Sequence, residues 1–96
     1  TAHEQVAGQV PDPERCIKEP KKAMVPEDPS AQYAIAVSLA HWMTPDNMVN
    51  VMEYLKRLPA EYSVTSVLEA RKIKPEIQET EAFQTWAMDN VDIVLG

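Results

Sequence analysis

Between residues 30 and 95, the apolar positions recur with the 3.6-residue period of an α-helix. The clearest stripe is Met48, Val51, Met52 and Leu55, which occupy positions i, i+3, i+4 and i+7 with polar residues between them. Segment 30–43 is apolar almost all round, and a helix without a polar face is usually a central one. This pattern predicts a small all-α domain.

Prolines mark where these helices should begin. Pro45, Pro59 and Pro75 each stand at the start of an apolar-periodic segment, and proline is favoured in the first turn because its missing N–H would be unpaired there anyway. We therefore predict four helices with short connections. The first should begin at an N-cap formed by Ser30, and the second at an N-cap formed by Thr44.

The third helix has an alternative interpretation. Segment 63–67 contains β-branched residues and could form a strand. Helix is the preferred prediction because Pro59 and Glu61 favour a helix start and segment 68–71 continues it. The fourth helix should follow a turn after Pro75 and begin at an N-cap formed by Thr80.

Residues 1–29 differ from the rest because they hold five of the eight prolines. Each proline removes a backbone donor and restricts the residue before it, so we predict an extended or flexible arm here. The arm would be a linker, or alternatively a segment that docks on a partner through Ile17, Met24 and Val25. The predicted organisation is thus an arm over residues 1–29 and a helical bundle domain over residues 30–96.

A domain of this size buries only about 60 per cent of its unfolded surface, so large side chains must provide much of its stability. We expect the core anchors to be Trp42, Tyr54, Tyr62, Phe83 and Trp86. The five methionines could form an adaptable binding surface, but Met48 and Met52 lie on the core stripe and should fill gaps there.

The charge of the chain bears on its partners. Nine Lys and Arg against fifteen Asp and Glu give a net charge of −6, which argues against nucleic acid because phosphate binding depends on clustered cations. The candidate partner-binding residues are the cations Arg71, Lys72 and Lys74, with Lys56 and Arg57 placed across the bundle. The alternative is that these cations only complement the carboxyl ends of helices.

The sequence predicts no cofactor and no metal. A glycine-rich phosphate loop is excluded because the two glycines, Gly8 and Gly96, lie at opposite ends of the chain. The acids Glu76, Glu79 and Glu81 share no helical face and lack the spacing of a calcium loop, so they should be solvated surface residues.

Nucleophilic or acid–base catalysis has few candidates. Cys16 lies beside Arg15 and Lys18 but has no evident base, and His41 is expected near a helix end, where a capping role explains it. His3 lies in the arm. A single cysteine and the absence of a signal-like or membrane-length apolar stretch favour a reducing cytoplasm and no membrane. A small enzyme that uses Cys16 or His41 is kept as a third hypothesis.

Two groups of residues carry a family resemblance over residues 28–95. The first is the pattern Tyr-x-x-Arg-Leu-Pro-x-Glu-aromatic, formed by Tyr54, Arg57, Leu58, Pro59, Glu61 and Tyr62. The second is Thr-x-x-Phe-x-x-Trp-x-x-x-Asn, formed by Thr80, Phe83, Trp86 and Asn90. In these residues the chain resembles the C-terminal region of phage- and plasmid-associated AAA+ ATPases related to the MoxR group.

The resemblance implies a helical domain that follows an ATPase core and serves subunit contact, lid movement or partner recruitment. The nucleotide loop, the Walker B acid and an arginine finger are missing from this chain, so we expect it not to hydrolyse ATP. We predict a non-catalytic interaction or assembly domain with a protein partner, which would be the parent ATPase core or other subunits. The alternative is a free-standing acidic regulator that binds a basic partner or mimics nucleic acid.

Overall fold

A computed structural model describes residues 10–95, without the side chain of residue 95. Within this part of the chain the secondary structure consists of six α-helices and one 3₁₀ helix, with no β-strand. The all-α prediction is therefore confirmed. His3, the first nine residues of the expected arm and Gly96 lie outside the described residues.

The four predicted helices correspond to α2–α5, and shorter helices flank them. The elements in chain order are α1 (Pro13–Lys18), α2 (Pro29–Trp42), α3 (Met48–Leu55), α4 (Ala60–Ile73), the 3₁₀ helix (Pro75–Glu79), α5 (Glu81–Asp89) and α6 (Val91–Leu95). The most extensive pairing is between α2 and α4, while α1 packs on α3 and α2, and α5 packs on the 3₁₀ helix and α3. Among the described helices, each is too short or too polar to cross a bilayer.

Two predicted N-caps are wrong. Helix α2 begins at Pro29, and the Asp28 carboxylate, rather than Ser30, accepts a hydrogen bond from the Ala31 N–H at 3.3 Å. Asp28 takes this position because Pro29 then fills the first helical turn, where its missing donor costs nothing. The N-cap of α2 therefore lies two residues earlier than predicted.

The start predicted at Thr44 is also wrong, because Pro45 lies in a turn and α3 begins only at Met48. The Asn47 side chain stabilises this turn: its Oδ1 accepts from the Thr44 N–H at 2.7 Å, and its Nδ2 donates to the Trp42 carbonyl at 2.9 Å. Side chains of this type offer the backbone an alternative to helical hydrogen bonds. The turn thus replaces the predicted first turn of the helix.

The other two predicted starts are confirmed. Helix α4 follows Pro59 and runs through segment 63–67, so the strand alternative is excluded. Within it, the Thr65 hydroxyl donates to the Glu61 carbonyl one turn earlier at 2.8 Å. Thr80 caps α5, since its Oγ1 accepts from the Phe83 N–H at 3.1 Å.

The prediction of an extended arm is wrong over α1. Asp12 caps this helix by accepting from the Glu14 N–H at 3.1 Å, and Pro13 occupies the first turn. The six residues between Pro13 and Pro20 carry no proline, which leaves room for a short helix. Its two i,i+4 ion pairs are Glu14–Lys18 at 3.0 Å and Arg15–Glu19 at 3.5 Å.

The core confirms most of the predicted anchors. Tyr54 and Phe83 are buried, and Tyr62 and Trp86 are half-buried against the core. Met48 and Met52 are buried as predicted. The prediction for Trp42 is wrong: it is 46% exposed, because it is the last residue of α2 and the chain turns at Met43, whose side chain enters the core instead.

Candidate protein-binding groove

One side of α3 is covered by segment 20–24, which follows α1. We call this segment, together with the Tyr54 and Arg57 side chains that bond to it, the clasp. Arg57 Nη1 donates to the carbonyls of Pro20 and Ala23 at 2.8 and 2.7 Å. The Tyr54 hydroxyl donates to the Met24 carbonyl at 2.5 Å. The Arg57 guanidinium also lies 5.6 Å from the centre of the Tyr54 ring, within cation–π range. The clasp therefore joins the predicted arm to the bundle.

The other side of α3 borders an open apolar groove, which we call the α3–α5 groove. It has a volume of about 930 Å³ and lies between α3, the first half of α4, and α5. Its apolar lining consists of Val49, Met52, Leu55, Leu58, Ala60, Val64, Val67, Ala82 and Trp86. Its polar lining consists of Glu53, Lys56, Ser63, Glu81, Thr85, Asp89 and Asn90.

The five candidate cations do not form one surface. Arg57 is part of the clasp, and Lys56 lines the groove with its Nζ 3.4 Å from Glu53 Oε1. The other three, Arg71, Lys72 and Lys74, lie at the carboxyl end of α4 and its C-cap, roughly 17–21 Å along the helix axis from Ala60. Their role in partner binding stays a prediction.

The residues considered for catalysis are not brought together. Cys16 is fully buried beneath α3, and burial raises the pKa of its thiol, an effect that the nearby Tyr54 hydroxyl partly opposes. His41 is exposed in the last turn of α2. Within residues 10–95, no three His, Cys, Asp or Glu side chains cluster as metal ligands would.

The residues that carry the family resemblance have identifiable positions in the fold. In the first group, Tyr54 and Arg57 form the clasp, and the Tyr62 ring meets Tyr33 edge-on at 6.2 Å. In the second group, Phe83 packs against Trp86 at 5.5 Å, and the Asn90 side chain donates to the Trp86 carbonyl at 2.8 Å. Trp86 and Asn90 also line the α3–α5 groove.

Sequence reasoning missed this groove. Its one signal in the sequence is Val49, an apolar residue that lies outside the i, i+3, i+4, i+7 core stripe of α3. No family model, curated protein or solved structure matches this chain. The function of the groove is therefore inferred from its residues and geometry.

Proposed function

We propose that this chain is a non-catalytic helical interaction domain that binds another protein in the α3–α5 groove. The observation that carries the proposal is the groove itself, an open and mainly apolar surface beside the buried hydrophobic core. Its volume of about 930 Å³ is at the upper end of the roughly 300–1,000 Å³ range of ligand pockets. Because the groove is open to solvent and not enclosed, its shape rather than its volume favours a protein segment.

The composition of the groove supports a protein ligand. Met52 and Trp86 line it, and methionine and aromatic side chains are enriched where proteins meet. Val49 stands at its edge with 65% of its surface exposed. A partner that covered Val49 would remove this apolar surface from water, which is favourable in proportion to the area buried.

The partner that we propose is the ATPase core of the AAA+ family that the chain resembles. Two residues of that resemblance, Trp86 and Asn90, lie in the groove, which links the pattern to a binding surface. The chain would then assist subunit contact or partner recruitment while the core hydrolyses ATP. We propose a reducing cytoplasm as the compartment, because the single cysteine forms no intramolecular disulfide.

A second candidate function is an acidic regulator of a basic partner. It is favoured by Glu81 and Asp89, which are exposed along the α5 edge of the groove. In this case electrostatics would dominate the association, and added salt would weaken it by screening the exposed charges.

The test is a binding measurement between the full chain and purified ATPase cores of that family, by analytical ultracentrifugation. We expect association or a changed assembly state, and a loss of affinity of about tenfold or more for Val49→Lys. Val91→Lys is the matched control, because Val91 is 46% exposed and lies outside the groove.

Failure of the wild-type chain to associate with the cores would overturn the proposal, as would equal losses in the two variants. Association that disappears above about 0.5 M salt would favour the second candidate instead.

A further inference from the structure

We infer that the occupant of the α3–α5 groove is an amphipathic helix of two to three turns that carries Lys or Arg along the edge facing α5. This inference rests on the proposed function and names the class of partner segment that the groove would bind.

The length of the groove matches a short helix. Along α5 and its C-cap, the lining residues begin at Glu81 and end at Asn90, which spans about 13 Å at the helical rise of 1.5 Å per residue. A partner helix of about nine residues would cover this length. Binding of an amphipathic helix in an apolar groove is a recurring mode of protein recognition, with anchors at i, i+3, i+4 and i+7.

The walls differ in the size of their side chains. The α4 wall consists of Ala60, Ser63, Val64 and Val67, which are small or β-branched and would let a helix backbone approach. The facing wall carries the longer side chain of Met52, which can adapt to different partner side chains. A helix with an apolar stripe therefore fits between the walls.

The charges of the groove are unequally distributed between its two edges. Glu81, Thr85 and Asp89 form an exposed row at i, i+4 and i+8 on the outer side of α5, while Ala82 and Trp86 form the inner row. Across residues 10–94, neither carboxylate of the outer row is ion-paired. The α5 edge is thus acidic and available to a cationic partner.

The α3 edge is close to neutral, because Glu53 already faces Lys56 at 3.4 Å. A partner helix would therefore place its cations on one side only. Glu81 and Asp89 are eight residues apart on α5, or about 12 Å along the axis. Two cations seven or eight positions apart on the partner helix would match both carboxylates.

A second copy of this chain is a poorer occupant. Each copy carries a net charge of −6, so association of two copies would bring like charges together, which is unfavourable. Self-association in the ultracentrifuge that is lost in Val49→Lys would contradict the inference, because it would identify the second copy as the occupant.

The experiment uses two fluorescein-labelled synthetic peptides and the full chain, with binding followed by anisotropy at 0.1 M salt. Both peptides are 16-residue amphipathic helices with a leucine stripe, and they differ only in having Lys or Glu at two positions seven apart on one edge of the stripe. We expect the Lys peptide to bind about tenfold more tightly than the Glu peptide, because opposite charges favour the edge and like charges disfavour it.

The variant Glu81→Gln/Asp89→Asn should reduce this preference to less than about twofold. The matched control is Glu69→Gln/Asp92→Asn, which makes the same charge change at exposed positions outside the groove and should keep the preference. The conservative variant Glu81→Asp/Asp89→Glu should keep it as well. Circular dichroism of each variant would verify that the fold is retained.

Equal binding of the two peptides, no binding of either, or equal loss of preference in the two double variants would overturn the inference. So would binding of the Lys peptide that Val49→Lys leaves unchanged, since its site would then lie elsewhere. The proposed function fails separately, through the lack of association with the ATPase cores.

Discussion

The two sides of α3 are covered to different degrees. On the clasp side, segment 20–24 lies over the helix and its carbonyls accept hydrogen bonds from Tyr54 and Arg57. On the groove side, Val49 is exposed. Met52 and Leu55 lie at the floor of the groove. The same eight-residue helix therefore has one side covered by its own chain and one side that borders the open groove.

Under the proposed function, this difference separates the residues that stabilise the fold from the residues that would bind the partner. Polar groups on the clasp side are paired within the chain, and they fix where the preceding segment lies. The groove side has apolar side chains and an acidic edge with no ion pair to any residue in the described range. We expect substitutions on the clasp side to change stability and substitutions on the groove side to change binding.

The largest expected effect is that of Tyr54→Ala. Tyr54 is fully buried, and removal of a buried aromatic ring costs about 3–5 kcal/mol of unfolding free energy. On the groove side, Val49→Ala should change the unfolding free energy by less than about 0.5 kcal/mol because Val49 is exposed. Urea unfolding at pH 7 measures both, and similar costs for the two variants would contradict the comparison.

The next largest effect is that of Arg57→Ala, which should lower the unfolding free energy by about 1.5–2 kcal/mol. The variant loses two charge-assisted hydrogen bonds, each of the kind that contributes most in proteins. The adjacent Lys56→Ala is the control, since its exposed pair with Glu53 contributes less than about 1 kcal/mol.

Hydrogen exchange gives a second measurement for Arg57→Ala. The amides of Lys22 and Ala23, which donate to the Glu19 carbonyl at 3.0 and 2.8 Å, should exchange faster in this variant. Unchanged exchange there would show that the side chain does not hold the clasp.

A further expected effect is a dependence of the unfolding free energy on alkaline pH, which arises from buried groups on the clasp side. Burial, with a smaller contribution from Cys16, raises the pKa of Tyr54, and burial raises the pKa of Cys16. The folded chain therefore keeps both protons at pH values where the unfolded chain releases them, above its ordinary pKa values of about 8.5 for Cys and 10 for Tyr. Stability should fall as pH rises past these values, by at most about 1.4 kcal/mol per pH unit for each group.

Two variants can show which residue causes the fall of the unfolding free energy with rising pH. Tyr54→Phe should flatten the loss of stability above about pH 10, whereas Tyr33→Phe should leave it unchanged because Tyr33 is 52% exposed. Urea midpoints between pH 7 and 10.5 provide the measurement. An equal slope in wild type and Tyr54→Phe would show that the buried hydroxyl is not responsible.

The elements that could be predicted from the sequence are those specified by neighbouring residues. The stripe through Met48 and Leu55 identified a helix, and Thr80 was identified as the cap of α5 because its hydroxyl reaches an amide three residues away. The local patterns failed where a side chain competes with the backbone hydrogen bonds of a helix. At Asn47 the side chain bonds to the Thr44 N–H and the Trp42 carbonyl, so a turn forms in place of the predicted first helical turn.

The sequence by itself determined that residues 30–95 are mainly helical and that Tyr54 and Phe83 belong to the core, because helical periodicity and burial of large apolar groups follow from residues close in sequence. Only the tertiary structure decided that the Arg57 guanidinium bonds to the carbonyl of Pro20, 37 residues before it. It also decided that α3, α4 and α5 leave a groove between them. Both depend on how distant helices pack, and the packing sets which side chains meet and which surfaces stay uncovered.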